Sequence, residues 1–368
     1  MNSYSKPSLK PLVEFCVIED LIYFFHHPGI AIQMKDPSKF ISSVCKLLDG
    51  KRNLAELSQE LAPFFPSETP YLEKLLYVLD KEYLLEDSEC NYPEKLTEYD
   101  IARWSRNIEF FGAHCKAKEN KYSHQEKLKA AKVTVFGLGG VGSNILYNLA
   151  AMGVCNIKAV DFDKIELSNL NRQIIYNECD VGQLKSAVAK NRISNFLPHA
   201  NIEFINKKIS CSEDIEEFIS NQDIVIAAID HPREKIIDWF NLACVKKNVP
   251  FLCGSLDSRL VTYYGIVPGE TGCVECWKLS KQKTGFVFQD IIQQENFISS
   301  LSPNVAIMPF ISLVSGFVTN EFLKIITGIA EPQCLGKLCA FDFITSRITI
   351  SECWDKNPLC SICSRNYS

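Results

Sequence analysis

The chain has 368 residues, enough for two domains of ordinary size, and its 46% hydrophobic and 23% charged residues are the balance of ordinary soluble globular proteins. A net charge of −5 lacks the basic surplus of a dedicated nucleic-acid binder, although it leaves room for a local basic pocket. No run approaches the ~18 apolar residues of a membrane span, and the polar residues 1–11 lack the apolar core of a secretory signal. The expectation is a cytoplasmic protein without nucleic-acid or membrane partners, whose sixteen cysteines stay as thiols or metal ligands.

Residues 12–86 read as one small unit. Runs 12–18, 21–25 and 30–34 are short and β-prone, with a His-Pro-Gly turn signal at 27–29. Asp36-Pro37-Ser38 then offers a helix cap with proline at the first helical position, followed by Phe40, Ile41, Val44, Leu47 and Leu48 at three-to-four spacing. Gly50 ends that helix, 54–61 and 70–79 supply two more, and 83–85 reads as a closing strand. The order βββαααβ suits an α+β winged-helix-like module. Its Leu47-Leu48-Asp49-Gly50-Lys51-Arg52-Asn53 run, with Leu54, Leu57 and the later Leu76, Leu79 and Tyr83-Leu84-Leu85, resembles the PqqD-like peptide-recognition domains. The plainer alternative is a winged helix that only packs on its neighbour. The resemblance implies that a leader peptide adds as a strand beside 29–34 and lies against helix 70–79, with Tyr71, Leu75 and Leu79 as an apolar wall.

A polar stretch, 88–99, containing Pro93, reads as a linker, so the domains are expected at 1–95 and 96–368. Beyond it, short apolar runs at 132–136, 157–160, 202–205 and 224–228 alternate with helical stretches, the pattern of a doubly wound, Rossmann-like α/β fold. The first run enters Gly137-Leu138-Gly139-Gly140-Val141-Gly142 and then a helix. Such a turn lets backbone amides approach a phosphate, and Asp161, at the end of the next run, stands where an acid meets ribose hydroxyls. A Rossmann dehydrogenase would show the same features.

The segment 161–173, with Asp161, Asp163, Ser168, Asn169, Arg172 and Gln173, is more specific, and it closely resembles the signature of the E1-like adenylating enzymes (the MoeB and ThiF superfamily). Val181-Gly182-Gln183-Leu184-Lys185, the upstream Arg103-Trp104-Ser105-Arg106-Asn107 and the strand-end Ala228-Ile229-Asp230 match that family in order. Taken singly, each Arg or Lys here would read as a solvated surface charge. The resemblance implies ATP-dependent adenylation of a carbonyl group, with release of pyrophosphate. Charge building on the phosphate oxygens calls for fixed cations. Arg172 and Lys185 are the expected ones within the subunit, and Arg106 is expected to reach across from the partner subunit of a homodimer. Asp230 is expected to hold Mg²⁺ with the phosphates, Asp163 to stand by the metal and Asp161 by the ribose, and Asn169 and Gln173 to position phosphate and substrate.

Cys273-Val274-Glu275-Cys276 and Cys360-Ser361-Ile362-Cys363 form a paired CxxC, the spacing at which four thiolates share one tetrahedral Zn²⁺. Four thiolates leave no open coordination position, which points to a structural ion; two disulfides are the alternative reading. Segment 277–333 contains no cysteine, which speaks against the thioester step of the ubiquitin-type activators. Ala228-Ile229-Asp230-His231-Pro232 and 264–273 resemble the branch of the family that adenylates ribosomally made precursor peptides, as in microcin C7 and pantocin A maturation. That branch is the first expectation. Activation of a sulfur-carrier protein is the second, and a non-enzymatic leader-binding scaffold for a cyclodehydratase is the third.

Overall fold

The computed structural model describes residues 4–27, 30–233, 235–282 and 305–364. Two compact units divide the chain, Met1–Lys127 and Leu128–Ser368. The division expected at 95/96 lies inside the first unit, which takes in the helices that follow the polar stretch.

The first unit runs β1 (Pro7–Leu9), β2 (Glu14–Ile18), β3 (Leu21–His27), β4 (Ile30–Lys35), α1 (Phe40–Leu47), α2 (Leu54–Leu61), α3 (Leu72–Lys81) and β5 (Leu85–Asp87). Helices α4 (Glu98–Arg103), α5 (Ser105–His114) and α6 (Lys121–Ala130) follow. Strands β2, β3 and β4 form an antiparallel meander in that order, and β1 pairs antiparallel with β5. Strand β1 is missing from the expected order βββαααβ, because its partner lies some eighty positions away and no local period reveals such a pairing. Ile22, Phe24, Val44, Leu57, Leu72, Leu76 and Leu84 are buried in one apolar cluster.

Two local expectations are corrected. Pro37 does not open a helix: α1 begins at Phe40 behind Lys39, whose φ is 64°, in the left-handed region. Asp36 still caps it, accepting from the amides of Ile41 at 2.8 Å and Ser42 at 2.9 Å. The closing strand begins at Leu85 because Tyr83, at φ 60°, turns the chain out of α3. Within α3, Leu79 is wholly buried and is core, whereas Tyr71 just before the helix is 63% exposed and Leu75 is half-buried. Residue 29 of the expected docking edge, 29–34, lies outside the described residues.

The second unit opens with β6 (Lys132–Phe136), α7 (Gly140–Met152), β7 (Asn156–Val160), α8 (Lys185–Phe196), β8 (Asn201–Ile205), α9 (Ser212–Ile219) and β9 (Ile224–Ala227). It continues with α10 (Ile236–Lys247), β10 (Phe251–Leu256), β11 (Leu260–Ile266), α11 (Val274–Gln282), α12 (Met308–Thr327), β12 (Lys337–Asp342) and β13 (Arg347–Cys353). All eight strands join one sheet in the order β13-β12-β11-β10-β9-β6-β7-β8. The strands from β10 to β8 are parallel, as the apolar runs predict; β11, β12 and β13 extend the sheet antiparallel. Phe136 of β6 packs its ring against Phe218 of α9 and Phe240 of α10, while α7 packs on α8 and α12. The two helix groups thus cover opposite faces, the α/β arrangement expected.

Among the described residues one helix, α12, is long and apolar enough to cross a membrane by length and composition, with a mean hydropathy of 1.3. Asn320, Glu321 and Lys324 interrupt its apolar run. Its Phe310, Ile311, Val314, Val318 and Phe322 are buried, and it packs on α7, β10 and β11. It is a core helix of this unit.

From β6 the chain winds outward through β7 to β8, then returns to β9 on the other side of β6 and winds outward again to β10. The strand order therefore reverses between β6 and β9. In such sheets the crevice at the carboxyl ends of the strands on either side of the reversal is the ligand site.

Candidate functional site

A cleft of about 900 Å³ opens at that reversal. Its floor is Gly137, Gly139 and Gly140 after β6 and Ala228, Ile229 and Asp230 after β9. Asp161 and Asp163 after β7, and Asn169, Arg172, Gln173 and Lys185 from the segment leading into α8, also line it. Ten of the expected site residues thus meet in one place.

The glycines divide by function. Gly137 has φ 90°, and a Cβ there would stand 2.4 Å from the Ala228 carbonyl oxygen. A Cβ on Gly142 would stand 1.8 Å from the Gly137 carbonyl oxygen, so Gly142 seats α7 against the turn and does not line the cleft. Gly139 has nothing nearer than the Gln173 Nε2 at 3.7 Å, so its missing side chain keeps open the space before α7. That helix N-terminus favours an anion.

Asp161 is buried, and both carboxylate oxygens are engaged: Oδ2 accepts from the Leu138 amide at 2.6 Å and Oδ1 from the Asp163 amide at 2.7 Å. It clamps the glycine turn to the end of β7. Burial raises its pKa, and the nearby Lys185 charge opposes that shift. Lys185 is buried at the first turn of α8, with Nζ 2.8 Å from the Asp163 carboxylate. The Arg172 guanidinium donates to the Ser168 carbonyl at 3.0 Å and to the Asn171 side chain at 2.9 Å. Ser168 contributes that carbonyl but does not itself line the cleft; its hydroxyl donates to Glu166. Asn169 is buried, its side-chain oxygen accepting the Glu166 amide at 3.1 Å. Asp230 is exposed and lies 2.8 Å from the His231 Nδ1. Arg106 belongs to the first unit, exposed on α5.

Gln173 lines the cleft and is 97% buried, yet its Oε1 has no hydrogen-bond partner among the described residues. A buried amide oxygen left unpaired is costly, and it calls for a donor, such as a ribose hydroxyl or the adenine amino group of a nucleotide, rather than a phosphate. The open side of Gly139 and the Lys185 and Arg172 cations lining the same cleft fit the triphosphate.

The four cysteines of the paired CxxC come together, their sulfurs all within 4.8 Å of one another. Cys273 and Cys360 are 3.6 Å apart and Cys276 and Cys363 are 3.3 Å apart, beyond the ~2.05 Å of a disulfide. Four sulfurs at ~2.3 Å around one tetrahedral ion would be about 3.8 Å apart, so the donor set fits a metal. Burial pushes the Cys273 thiol up to about 11, a cost that a bound cation offsets.

Comparison with known proteins agrees with this geometry. The ThiF family profile matches residues 105–362. The chain belongs to the ThiF family. It is accordingly an E1-like, ATP-dependent adenylyltransferase that releases pyrophosphate. It is 26% identical over 274 residues to the molybdopterin-synthase adenylyltransferase of Escherichia coli, covering 74% of this chain and 99% of that one. It is 30% identical over 249 residues to the sulfur carrier protein adenylyltransferase of Thermus thermophilus, covering 65% of this chain and 84% of that one. Among solved structures it is similar to E. coli MccB with AMPCPP and MccA, at a TM-score of 0.79 and 23% identity over 97% of this chain and 99% of that one. It is also similar to PaaA, at a TM-score of 0.72 and 24% identity over 94% and 100%. The likeness to those two structures covers nearly the whole chain, including residues ahead of the profile match.

Proposed function

We propose that this enzyme adenylates a carboxyl or carboxamide group of a ribosomally made precursor peptide during its maturation, in the cytoplasm. The first unit carries this reading. The molybdopterin-synthase enzyme is matched over 99% of its length yet accounts for only 74% of this chain. MccB and PaaA, by contrast, match 97% and 94% of it. A segment ahead of the family profile, shared with an enzyme solved together with MccA, suits a peptide-recognition module. The Thermus sulfur-carrier enzyme, at 30% identity, supports the second reading, activation of a sulfur-carrier protein. The scaffold reading falls with membership of an enzyme family.

In the reaction an oxygen of the acceptor carbonyl group attacks the α-phosphorus of ATP. A new P–O bond forms, the α–β phosphoanhydride breaks, and pyrophosphate leaves. Lys185 and Arg172 face the growing charge, the Gly137–Gly142 turn and the start of α7 cradle phosphate, and Asp161 holds that turn in shape. Asp230, with Asp163, would hold Mg²⁺, which neutralises the leaving pyrophosphate. Zn²⁺ would sit among Cys273, Cys276, Cys360 and Cys363 as a structural ion.

In this reading the leader peptide adds to β4, which has β3 as its one neighbour among the described residues. Tyr71, 63% exposed just ahead of α3, is the proposed ring for that peptide. With a candidate precursor peptide as substrate, pyrophosphate release and a mass gain of one adenylyl group are expected. Tyr71→Glu should raise the peptide KM by about 10-fold and leave the ATP KM unchanged. An unchanged peptide KM would favour the sulfur-carrier reading.

The enzyme is further proposed to act as a homodimer in which Arg106 serves the partner's cleft. Arg106→Ala and Lys185→Ala should each be inactive alone. After subunit exchange half the dimers are mixed and each holds one intact site, so about a quarter of wild-type activity should return. No recovery in proven heterodimers would place Arg106 in its own subunit's site or outside the chemistry.

A further inference from the structure

Trp277 belongs at once to the four-cysteine centre and to the cleft. Its amide donates to the Cys273 carbonyl at 3.0 Å, and it follows Cys276 directly in the chain. Its indole stacks on Trp354 at 4.8 Å and 14° and lies against Tyr264 at 5.5 Å and 58°. The indole N–H donates to Glu352, and the Lys281 ammonium sits 4.5 Å from the ring centre. Trp354, just ahead of the second cysteine pair, donates its indole N–H to the Gly272 carbonyl at 2.9 Å. Each cysteine pair therefore brings one tryptophan to a shared stack, and the centre that ties the pairs together fixes where Trp277 stands.

The sheet register shows where that is. Phe136, Ala227, Cys253 and Tyr264 lie side by side across β6, β9, β10 and β11. Strands are ~4.8 Å apart, so Tyr264 lies about 14 Å across the cleft from the start of the glycine turn. The phosphate-facing groups Lys185, Arg172 and Asp163 belong to the β6–β7 side. On the far side the lining includes the apolar Ile236, Ile237, Leu256, Tyr264, Trp277 and Leu338, with Ser255 and Thr262 among them and Arg233 at the edge nearer β9. Asp257, also on that side, is engaged by the amides of Arg259 and Leu260 in its own turn. Such an apolar wall has nothing to offer a triphosphate, but it suits a hydrophobic side chain.

We infer that Trp277 is a specificity-determining residue. It forms the wall of an apolar subsite that seats a hydrophobic side chain of the acceptor next to the carbonyl being adenylated, and the four-cysteine centre holds it in place. This rests on the peptide reading proposed above and adds to it a preference at one position of the peptide.

The probes are short synthetic peptides identical except for the residue beside the reacting carboxylate, which is Gly, Leu or Phe. The wild-type enzyme should prefer Leu or Phe over Gly by about 10-fold or more in kcat/KM. Trp277→Ala should bring that ratio to within about twofold, through peptide KM, with the ATP KM unmoved. Trp277→Phe should keep most of the preference, and metal content should stay equal to wild type in both variants. Binding of the Leu peptide should change tryptophan emission in the wild type and not in Trp277→Phe. A uniform loss across all three peptides, or a shifted ATP KM, would make Trp277 structural and overturn the inference. So would equal turnover of all three by the wild type, which leaves the peptide reading standing. Turnover of a sulfur-carrier protein and of no peptide would remove the peptide reading and this inference together.

Discussion

Lys185→Ala is expected to lower pyrophosphate release by about 100-fold or more, because it removes a buried cation from the side of the cleft where charge grows on phosphate. The side chain is held in place at both ends. Its amide donates to the Asp163 carbonyl at 2.9 Å, and its ammonium is 2.8 Å from the Asp163 carboxylate. Truncation leaves Asp161 and Asp163 without that counter-charge, so Asp161, already raised by burial, rises further. Bound ATP would then face two carboxyl groups and one cation fewer. Arg172→Ala is expected to act in the same direction. Pyrophosphate release by the purified variants, with thermal unfolding to show that they are folded, measures this. Near-normal rates in folded Lys185→Ala would remove the residue from the chemistry.

The second large effect is on stability. Cys273→Ser should cost about 3 kcal/mol or more, since a hydroxyl replaces a thiolate ligand in a set of four. For a unit of this size that corresponds to a Tm lower by about 6 °C or more. Elemental analysis should find one zinc per wild-type chain and little in the variant, and chelation of the wild type should reproduce the loss. Cys273, Cys276 and Cys360 share a core cluster with Phe240, Tyr264, Ile266 and Trp354, so the penalty falls on the packing of the second unit rather than on a loose tail. Wild-type protein purified without chelator and lacking metal would refute the assignment.

Much of the nucleotide cleft was legible because its chemistry is local in sequence. A glycine turn between a buried strand and a helix, an acid at the next strand end and a cation-bearing segment after it all lie within about fifty positions, 137–185. The antiparallel part of the sheet was not, because β12 pairs with β11 about eighty positions earlier in the chain and its hairpin partner β13 is exposed along most of its length. Asp36 illustrates an intermediate case: the capping residue is right, but the helix starts later because Lys39 takes the left-handed conformation first. Leu79 reads as a groove residue from the resemblance to peptide-recognition domains, and only its place in one cluster with Leu57 and its neighbours shows it to be core. Ser168 and Gly142 sit in the right motif yet serve the shape of the site from behind its surface. Trp277 carries no sequence signal beyond its place after a cysteine.

The ladder between β1 and β5 closes the front of the molecule on itself. Pro7 stands opposite Asp87, so the chain enters and leaves this segment at neighbouring points. A module whose two ends are adjacent can be moved between proteins, or inserted into a loop of one, with short connections and little distortion of its host. Residues 88–127 belong to the same unit, with the Asp87 amide donating to the Ala117 carbonyl at 3.0 Å and Lys10 to the Cys115 carbonyl at 2.7 Å, so they would travel with it; on the peptide reading proposed above, exchanging that whole unit between relatives should redirect the adenylating centre to a different peptide.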